Sequence, residues 1–295
     1  MAVAAVPHEV AVDGRHVRVS HLDRVLWPET GTVKADLIDY YLRVAPVLLP
    51  HIAGHPVTLH RFPEGVTGPH FFQTRCPPHP GWVRVATLSY PSTGKTFDVA
   101  VLDNRPSLVW AANLSAIELH PFLAPADAFD APRWLVVDLD PGAPAGVVDA
   151  AEVALSAREH LVRAGLAPAV KTSGGKGLHL YSRLPAGATY ADSKALARTL
   201  ADALTERMPD RVVATMTRAK RHGRVLVDWS QNDPGKSTVA PYSVRGFARP
   251  TVSTPLAWTE VEDVVRTRDG RGLFFSPADV LDRVSSYGDL FASML

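Results

Sequence analysis

Residues Lys171–Tyr181 read KTSGGKGLHLY, a lysine set among glycines and followed by residues that alternate apolar and polar. A P-loop spells G-x-x-x-x-G-K-[ST] between a strand and a helix. Here Lys176 is followed by Gly177, and LHLYSRL continues as a second strand would. The stretch therefore predicts strand, tight glycine-rich turn, strand. An anion bound at this turn would be held by a hairpin and not by a helix start.

Outward from the hairpin, helices and strands alternate with no repeat and no long linker. Upstream, RWLVVDLDP reads as a buried strand stopped by Pro141 and Gly142, and VVDAAEVALSAREHLVRAG as a helix closed by Gly165. Downstream, a helix is predicted from Tyr190, with Thr189-x-x-Asp192 as its capping box. GRVLVDWS reads as a strand, and helical turns begin near Ser276-Pro277. Earlier, TVKADLIDYYLRVAPVLL sets Leu37, Tyr41, Val44 and Leu48 on one helical stripe. RHVRVS, HPVTLHRF, WVRVATLSY and KTFDVAVL read as strands, PSTGK joining the last two as a hairpin, and SLVWAANLSAIEL reads as helix. The expectation is one compact α/β unit, in two lobes at most.

Composition narrows the function classes. The chain has 295 residues, 46% hydrophobic and 21% charged, with net charge +1. Such a chain can bury a substantial core, and any polyanion must be met by a local patch. A single cysteine, Cys76, excludes an internal disulfide framework and a cysteine-built metal site. With no basic leader at MAVAAVPHEV and no apolar run near 18 residues, a cytoplasmic protein is expected.

Three motifs can carry chemistry. On a strand, Asp138 and Asp140 point to one face and Leu139 to the other. Two carboxylates so close repel unless a cation lies between them, and all-oxygen ligands suit Mg²⁺ or Mn²⁺. Asp228, ending VLVD, supplies a third acid on what reads as a neighbouring strand; three such acids could hold two ions for phosphoryl or nucleotidyl transfer. Gly174, Gly175 and Gly177 let backbone N–H groups approach an anion, while Ser173, Lys176 and His179 add a hydroxyl, a charge and a ring nitrogen. Each motif has a plainer reading: strand-end Asp, a surface turn, a packed histidine. Their combination with Arg218, Lys220, Arg221, Arg224, Lys236 and Arg245 around the third acid describes a site for a nucleoside triphosphate and nucleic acid.

DLDPG, TSGGKGLHLY and VDWSQN, in this order and spacing, resemble the motifs of the polymerase domain of bacterial ATP-dependent DNA ligase D, in the archaeo-eukaryotic primase superfamily. The resemblance runs from LDRVLWPETGTVKADLIDYY through APYSVRG to YGDLF. It implies an α+β fold, with an RNA-recognition-motif-like antiparallel catalytic sheet, a second sheet and flanking helices, as one polymerase or primase unit over 1–295 without ligase or nuclease. It implies addition of ribonucleotides at gaps and broken DNA ends, with Mn²⁺ (or Mg²⁺), two ions, on Asp138, Asp140 and Asp228. By matching position, Ser173, Lys176, His179 and Arg245 hold the triphosphate and His120 meets the sugar and its 2′-hydroxyl. Phe71 and Phe72 stack on base or template, unless they are core, and Arg61, Arg221 and Lys236 belong to the DNA-binding set. Lys34, at a helix start that itself favours anions, grips a 5′-phosphate with Arg24. The chain departs from the family pattern at His21-Leu22-Asp23-Arg24 and at His60-Arg61.

The implied partners are gapped or broken DNA with a 5′-phosphate, ribonucleoside triphosphates, a separate ATP-dependent ligase and a Ku-type end-binding protein, in a nucleoid-associated setting. A primase that starts chains de novo is the alternative. Rivals from other classes fit less well. A haloacid-dehalogenase-type phosphatase wants Thr or Val at position 142, where Gly stands. A Mn²⁺-dependent D-x-D glycosyltransferase is not excluded by the D-x-D itself, but the third acid and the basic run fit it poorly, and a non-catalytic DNA-end-binding module has no need of three acids.

Overall fold

A computed structural model describes residues 8–89 and 94–295. Along the chain, β1 (His8–Val12) and β2 (Arg15–Val19) form one hairpin, and β3 (Val25–Trp27) and β4 (Thr32–Val33) another. Helix α1 (Lys34–Ile52) follows, burying Leu37, Tyr41, Val44 and Leu48 as its stripe predicts. Next come β5 (Val57–Arg61), β6 (Phe71–Gln73), β7 (Arg84–Ser89), β8 (Thr96–Val101), α2 (Arg105–Asn113) and β9 (Ala116–Pro121). The second half holds β10 (Trp134–Pro141), α3 (Val147–Arg163), β11 (Ala169–Thr172), β12 (Leu178–Arg183), α4 (Tyr190–Arg207), β13 (Val212–Val213) and β14 (Val225–Asp228). It ends with β15 (Val244–Arg245), β16 (Thr251–Val252), β17 (Pro255–Leu256), α5 (Trp258–Thr267) and α6 (Pro277–Tyr287). None of these helices is long and apolar enough to cross a membrane.

The predicted capping box at α4 is present, Thr189 Oγ1 accepting from the Asp192 amide and Asp192 from the Thr189 amide. Ser276 caps α6 in the same way. The turn expected at PSTGK lies largely outside the described residues, although β7 and β8 pair up to Ser89 and Thr96 on either side of it. SLVWAANLSAIEL is corrected: it is not one helix. Helix α2 ends at Asn113, Ser115 takes φ +57°, and Ala116–Pro121 form β9. The run is rich in good helix formers on both sides of Ser115, which masks the short Ile117-Glu118-Leu119-His120 alternation of a strand buried on both faces.

A six-stranded sheet in the order β13-β14-β10-β12-β11-β17, antiparallel except between β13 and β14, is the larger layer. Strand alternation gives it two unlike faces. Leu135, Val137, Leu139, Val170, Leu178, Leu180, Val225 and Val227 join the main core with Ala150, Ala154 and Ala157 of α3 and Ala197, Ala201 and Leu204 of α4. The opposite face starts apolar, with Trp134, Val136 and Tyr181, and becomes polar toward Asp138, Asp140, Lys171 and His179. The second sheet, β6-β5-β9, packs Leu59, Ile117 and Leu119 into the same core as α1 and α2 and directs His60, Glu118 and His120 to its other face. The two polar faces meet at a cleft bridged by Arg245.

Candidate active site

The turn that opens the sequence reading does join two antiparallel strands, with Lys171 opposite His179. Ser173 organises it: its Oγ accepts from the amides of Gly175 and Gly177, both at 3.2 Å, and its own amide donates to the Gly177 carbonyl at 2.9 Å. These glycine N–H groups therefore point inward to Ser173, where an open anion nest was expected. A Cβ on Gly177 would lie 2.6 Å from the Leu139 carbonyl oxygen, so only glycine lets the turn lie against the acid-bearing strand. Thr251 and Arg245 clamp the turn from outside, donating to the carbonyls of Gly174 and Ser173.

Across β10 and β14, Asp138 faces Asp228 in register, and Asp140 follows on the same face. Asp228 Oδ1 accepts from the amide and hydroxyl of Ser230, leaving Oδ2 with Gln231 Nε2 at 3.3 Å. The same Gln231 nitrogen stands 3.5 Å from Asp138 Oδ2. Asn232 anchors this loop by bonding both the amide and the carbonyl of Val136 in β10. Burial, reinforced by the charges of Asp138 and Asp228, raises the Asp140 carboxyl above its usual range against the pull of Lys176 and Arg221. The nearest cation to pair with it is Arg221, at 4.0 Å. Mutually repelling carboxylates, with no side-chain cation between them among the described residues, fit a hard divalent ion.

Beneath Asp138 lies a relay that sequence reasoning missed. Lys171 is fully buried, and its Nζ donates to His179 Nδ1 at 3.0 Å and to Ser253 Oγ at 2.6 Å. Nδ1 of His179 thus accepts, so Nε2 carries the proton and faces Asp138 Oδ1 at 3.3 Å. Burial, with the Lys171 charge, lowers His179 to about 4. The ring is neutral at pH 7, and Asp138 keeps its charge, since the charges and hydrogen bonding around it outweigh its burial.

Asp138, Asp140, Asp228, Ser173, Lys176, His179, His120, Arg221, Arg245 and Gln231 line one cavity of about 500 Å³. Phe247, 43% exposed, completes its wall beside Arg245 and Gly175. Of the basic residues singled out around the third acid, Arg221 and Arg245 reach this cavity. Lys220 and Arg224 line a separate groove with Trp229, and Lys236 stands exposed on a loop. His60, Glu118 and His120 form a second cluster close enough to share a metal ion. There Glu118 already faces the Arg245 guanidinium at 3.1 Å, which opposes a dication.

Phe71 and Phe72 are not core: they are 46% and 60% exposed at the edge of the second sheet. Phe72 stacks on His60 at 3.9 Å and meets the His120 ring edge-on at 5.2 Å; Phe71 lies under Arg61. Arg24, Lys34 and Arg61 converge away from the cavity. Lys34 is 3% exposed, with Nζ donating to the carbonyls of Ser20 and Asn113. Burial, then the charges of Arg24 and Arg61, lower it to about 8. The start of α1 is not open as expected, because the amides of Lys34 and Ala35 donate to the carbonyls of Arg24 and Leu22. What distinguishes this corner is three convergent cations, not the helix end.

The profile of the LigD primase-polymerase domain matches residues 33–291. The multifunctional non-homologous end joining protein LigD of Mycolicibacterium smegmatis is 40% identical over 281 residues, covering 94% of this chain and 36% of that protein. The bifunctional LigD of Bacillus subtilis is 28% identical over 275 residues, covering 92% and 43%. The chain thus spans about a third to two fifths of the length of these relatives. The polymerase domain of Mycobacterium tuberculosis ligase D, solved in complex with DNA, superposes with a TM-score of 0.87 at 38% identity, covering 94% of this chain and 97% of that one. Together with the acid triad and the glycine-rich turn facing it, these matches show that the chain belongs to the LigD primase-polymerase domain family.

Proposed function

We propose that this chain is a metal-dependent nucleotidyltransferase that extends a primer strand on a DNA template, preferring ribonucleotides, at gaps and broken ends during end joining. The observation that carries this reading is a single cavity lined at once by three carboxylates from adjacent strands and by the Ser173–Gly177 turn with Lys176 and Arg245. Carboxylates alone would suit many metal enzymes, and a phosphate cradle alone many binders. Face to face they suit transfer from a triphosphate.

Asp138, Asp140 and Asp228 would hold two Mn²⁺ or Mg²⁺ ions. Bound there, such ions supply Lewis-acid stabilisation of the phosphoryl charge and ease deprotonation of the attacking hydroxyl. Lys176 and Arg245 balance the triphosphate charge, and His179 donates its Nε2 proton toward Asp138. The primer 3′-oxygen attacks the α-phosphorus, the bond to the bridging oxygen breaks, pyrophosphate leaves, and the hydroxyl proton is released to water. His120, on the cavity wall, would touch the sugar, and Phe72, 60% exposed, would offer a face for a base. Arg24, Lys34 and Arg61 would meet a 5′-phosphate across a gap. The relatives' names and the DNA complex of the M. tuberculosis domain support an end-joining setting with a ligase activity; a Ku-type end-binding partner and a cytoplasmic, nucleoid location belong to the proposal.

Nucleotide incorporation on a primed, gapped template with Mn²⁺ tests the reading. Extension by templated ribonucleotides is expected. DNA binding without incorporation, under Mn²⁺ and Mg²⁺ alike, would replace it with an end-binding module.

A further inference from the structure

Glu118 is a carboxylate whose side chain is only 4% exposed, sitting beside the cavity and assigned no part in the reading above. Both its oxygens are engaged. Oε1 lies 3.1 Å from Arg245 Nε and accepts from the Gly246 amide at 2.9 Å. Oε2 lies 2.8 Å from His120 Nε2 and 3.1 Å from His60 Nδ1. Glu118 is two residues before His120 on β9 and directly opposite His60 on β5, so strand alternation delivers all three side chains to one face. Against its burial, the hydrogen bonds from the two histidines and the Arg245 charge hold the carboxyl well below the usual range. Burial keeps His120 neutral at pH 7.

An ionised carboxylate can only accept, so the neutral His120 ring must carry its proton on Nε2. Nδ1 is then a bare acceptor. The ring lines the cavity, and Nδ1 has no hydrogen-bond partner among the described residues.

We propose that Glu118 is a positioning residue for the nucleotide's sugar: it locks His120 in the Nε2–H tautomer, so that Nδ1 faces the cavity as an acceptor for a donating sugar hydroxyl, and it holds Arg245 against the Ser173 turn. The inference rests on the nucleotidyl-transfer reading and deepens it. Ribonucleotide preference then comes from hydrogen-bond polarity as well as pocket shape. A 2′-hydroxyl can donate to Nδ1; a 2′-hydrogen and a 2′-fluorine cannot. In Glu118→Gln, the amide oxygen takes the Arg245 and Gly246 donors and the NH₂ turns to the histidines. His120 then accepts at Nε2 and donates from Nδ1.

Two measurements on the full chain test this. Two-bond ¹H–¹⁵N spectra, with the His120 signal assigned by its loss in His120→Asn, should show the Nε2–H tautomer in wild type and Nδ1–H in Glu118→Gln. Primer extension with ribo-, 2′-deoxy- and 2′-fluoronucleotides should show wild type treating the fluoro sugar like the deoxy sugar, both disfavoured roughly tenfold, the size of one lost hydrogen bond. In Glu118→Gln ribose should remain accepted, because its 2′-hydroxyl can accept from Nδ1–H, while the fluoro sugar should overtake the deoxy sugar; an unchanged fluoro-to-deoxy order in the variant overturns the proposal. A wild-type enzyme that takes 2′-fluoro sugars as well as ribose overturns the proposal without any variant. So does an Nδ1–H tautomer in the wild type. If no nucleotide is incorporated at all, the nucleotidyl-transfer reading fails, while the spectra still decide whether Glu118 sets the tautomer.

Discussion

Replacing Asp140 by Asn removes one negative charge from the acid triad while keeping the side chain's size and one oxygen. Asp138 and Asp228 are register partners, so their Cα atoms stand about 4.5–5.5 Å apart, and Asp140 follows on the same face. Like charges opposed on a sheet cost roughly 0.2–1 kcal/mol. The Asp140 side chain is 54% exposed, so water screens much of the repulsion. Without divalent ions, Asp140→Asn should therefore stabilise the fold by about 0.2–0.5 kcal/mol, the lower part of that range after screening, a rise in Tm of roughly 0.5–2 °C for a chain of this size. The sign with pH follows from the raised carboxyl. A group that binds its proton more tightly when folded contributes stability in acid and loses it as pH rises through the folded pKa. The advantage of Asn should thus vanish in acid and be full at neutral pH. Thermal unfolding in chelator, repeated with Mn²⁺, reads both effects. Wild type should gain Tm on adding Mn²⁺, and the variant should gain little and extend no primer. A variant that melts below wild type in chelator and still shows the full Mn²⁺ shift would refute the idea of repelling carboxylates awaiting a cation.

Three further outcomes are expected. Phe72→Ala should barely move Tm, since the ring is 60% exposed, yet weaken template or nucleotide binding by roughly 1–3 kcal/mol per stacked base; lost stability with unchanged binding would make the ring structural. Because Lys34 titrates near 8 when folded, the preference for a 5′-phosphorylated gap should fall from pH 7.5 to about 9 and shrink with salt. Over the same range stability should rise, as the unfolded chain binds the extra proton; a phosphate preference flat across that range and absent from no Lys34→Met control would count against the patch. Gly177→Ala should abolish extension although it removes no charged group, because its Cβ would push against the Leu139 carbonyl and part the turn from the acids; a primer-extension rate within about twofold of wild type would show that the two need not touch, one methyl group being felt in a packed interior.

The hairpin at Lys171–Tyr181, the shared face of Asp138 and Asp140, the cap at Thr189, the helix start near Ser276 and the stripe on α1 are legible from the chain because each depends on residues close in sequence. Strand alternation and capping are local rules, and local rules act the same in any fold. Motif spacing also named the acids and the cradle as one site before their contact was visible. Tertiary structure alone decided what lies between strands. The Glu118 hub draws on β5, β9 and β15, and the Lys171 relay on β11, β12 and the chain leading into β17. Lys34 shows the limit most plainly. Its sequence position predicts an open helix end, but the carbonyls of Arg24 and Leu22 take the amides of Lys34 and Ala35, and those of Ser20 and Asn113 take its ammonium. Strand β9 is masked for a related reason: its helix-forming residues continue those of α2, and the burial of its polar side, Glu118 and His120, against other strands is known only when those layers are in place.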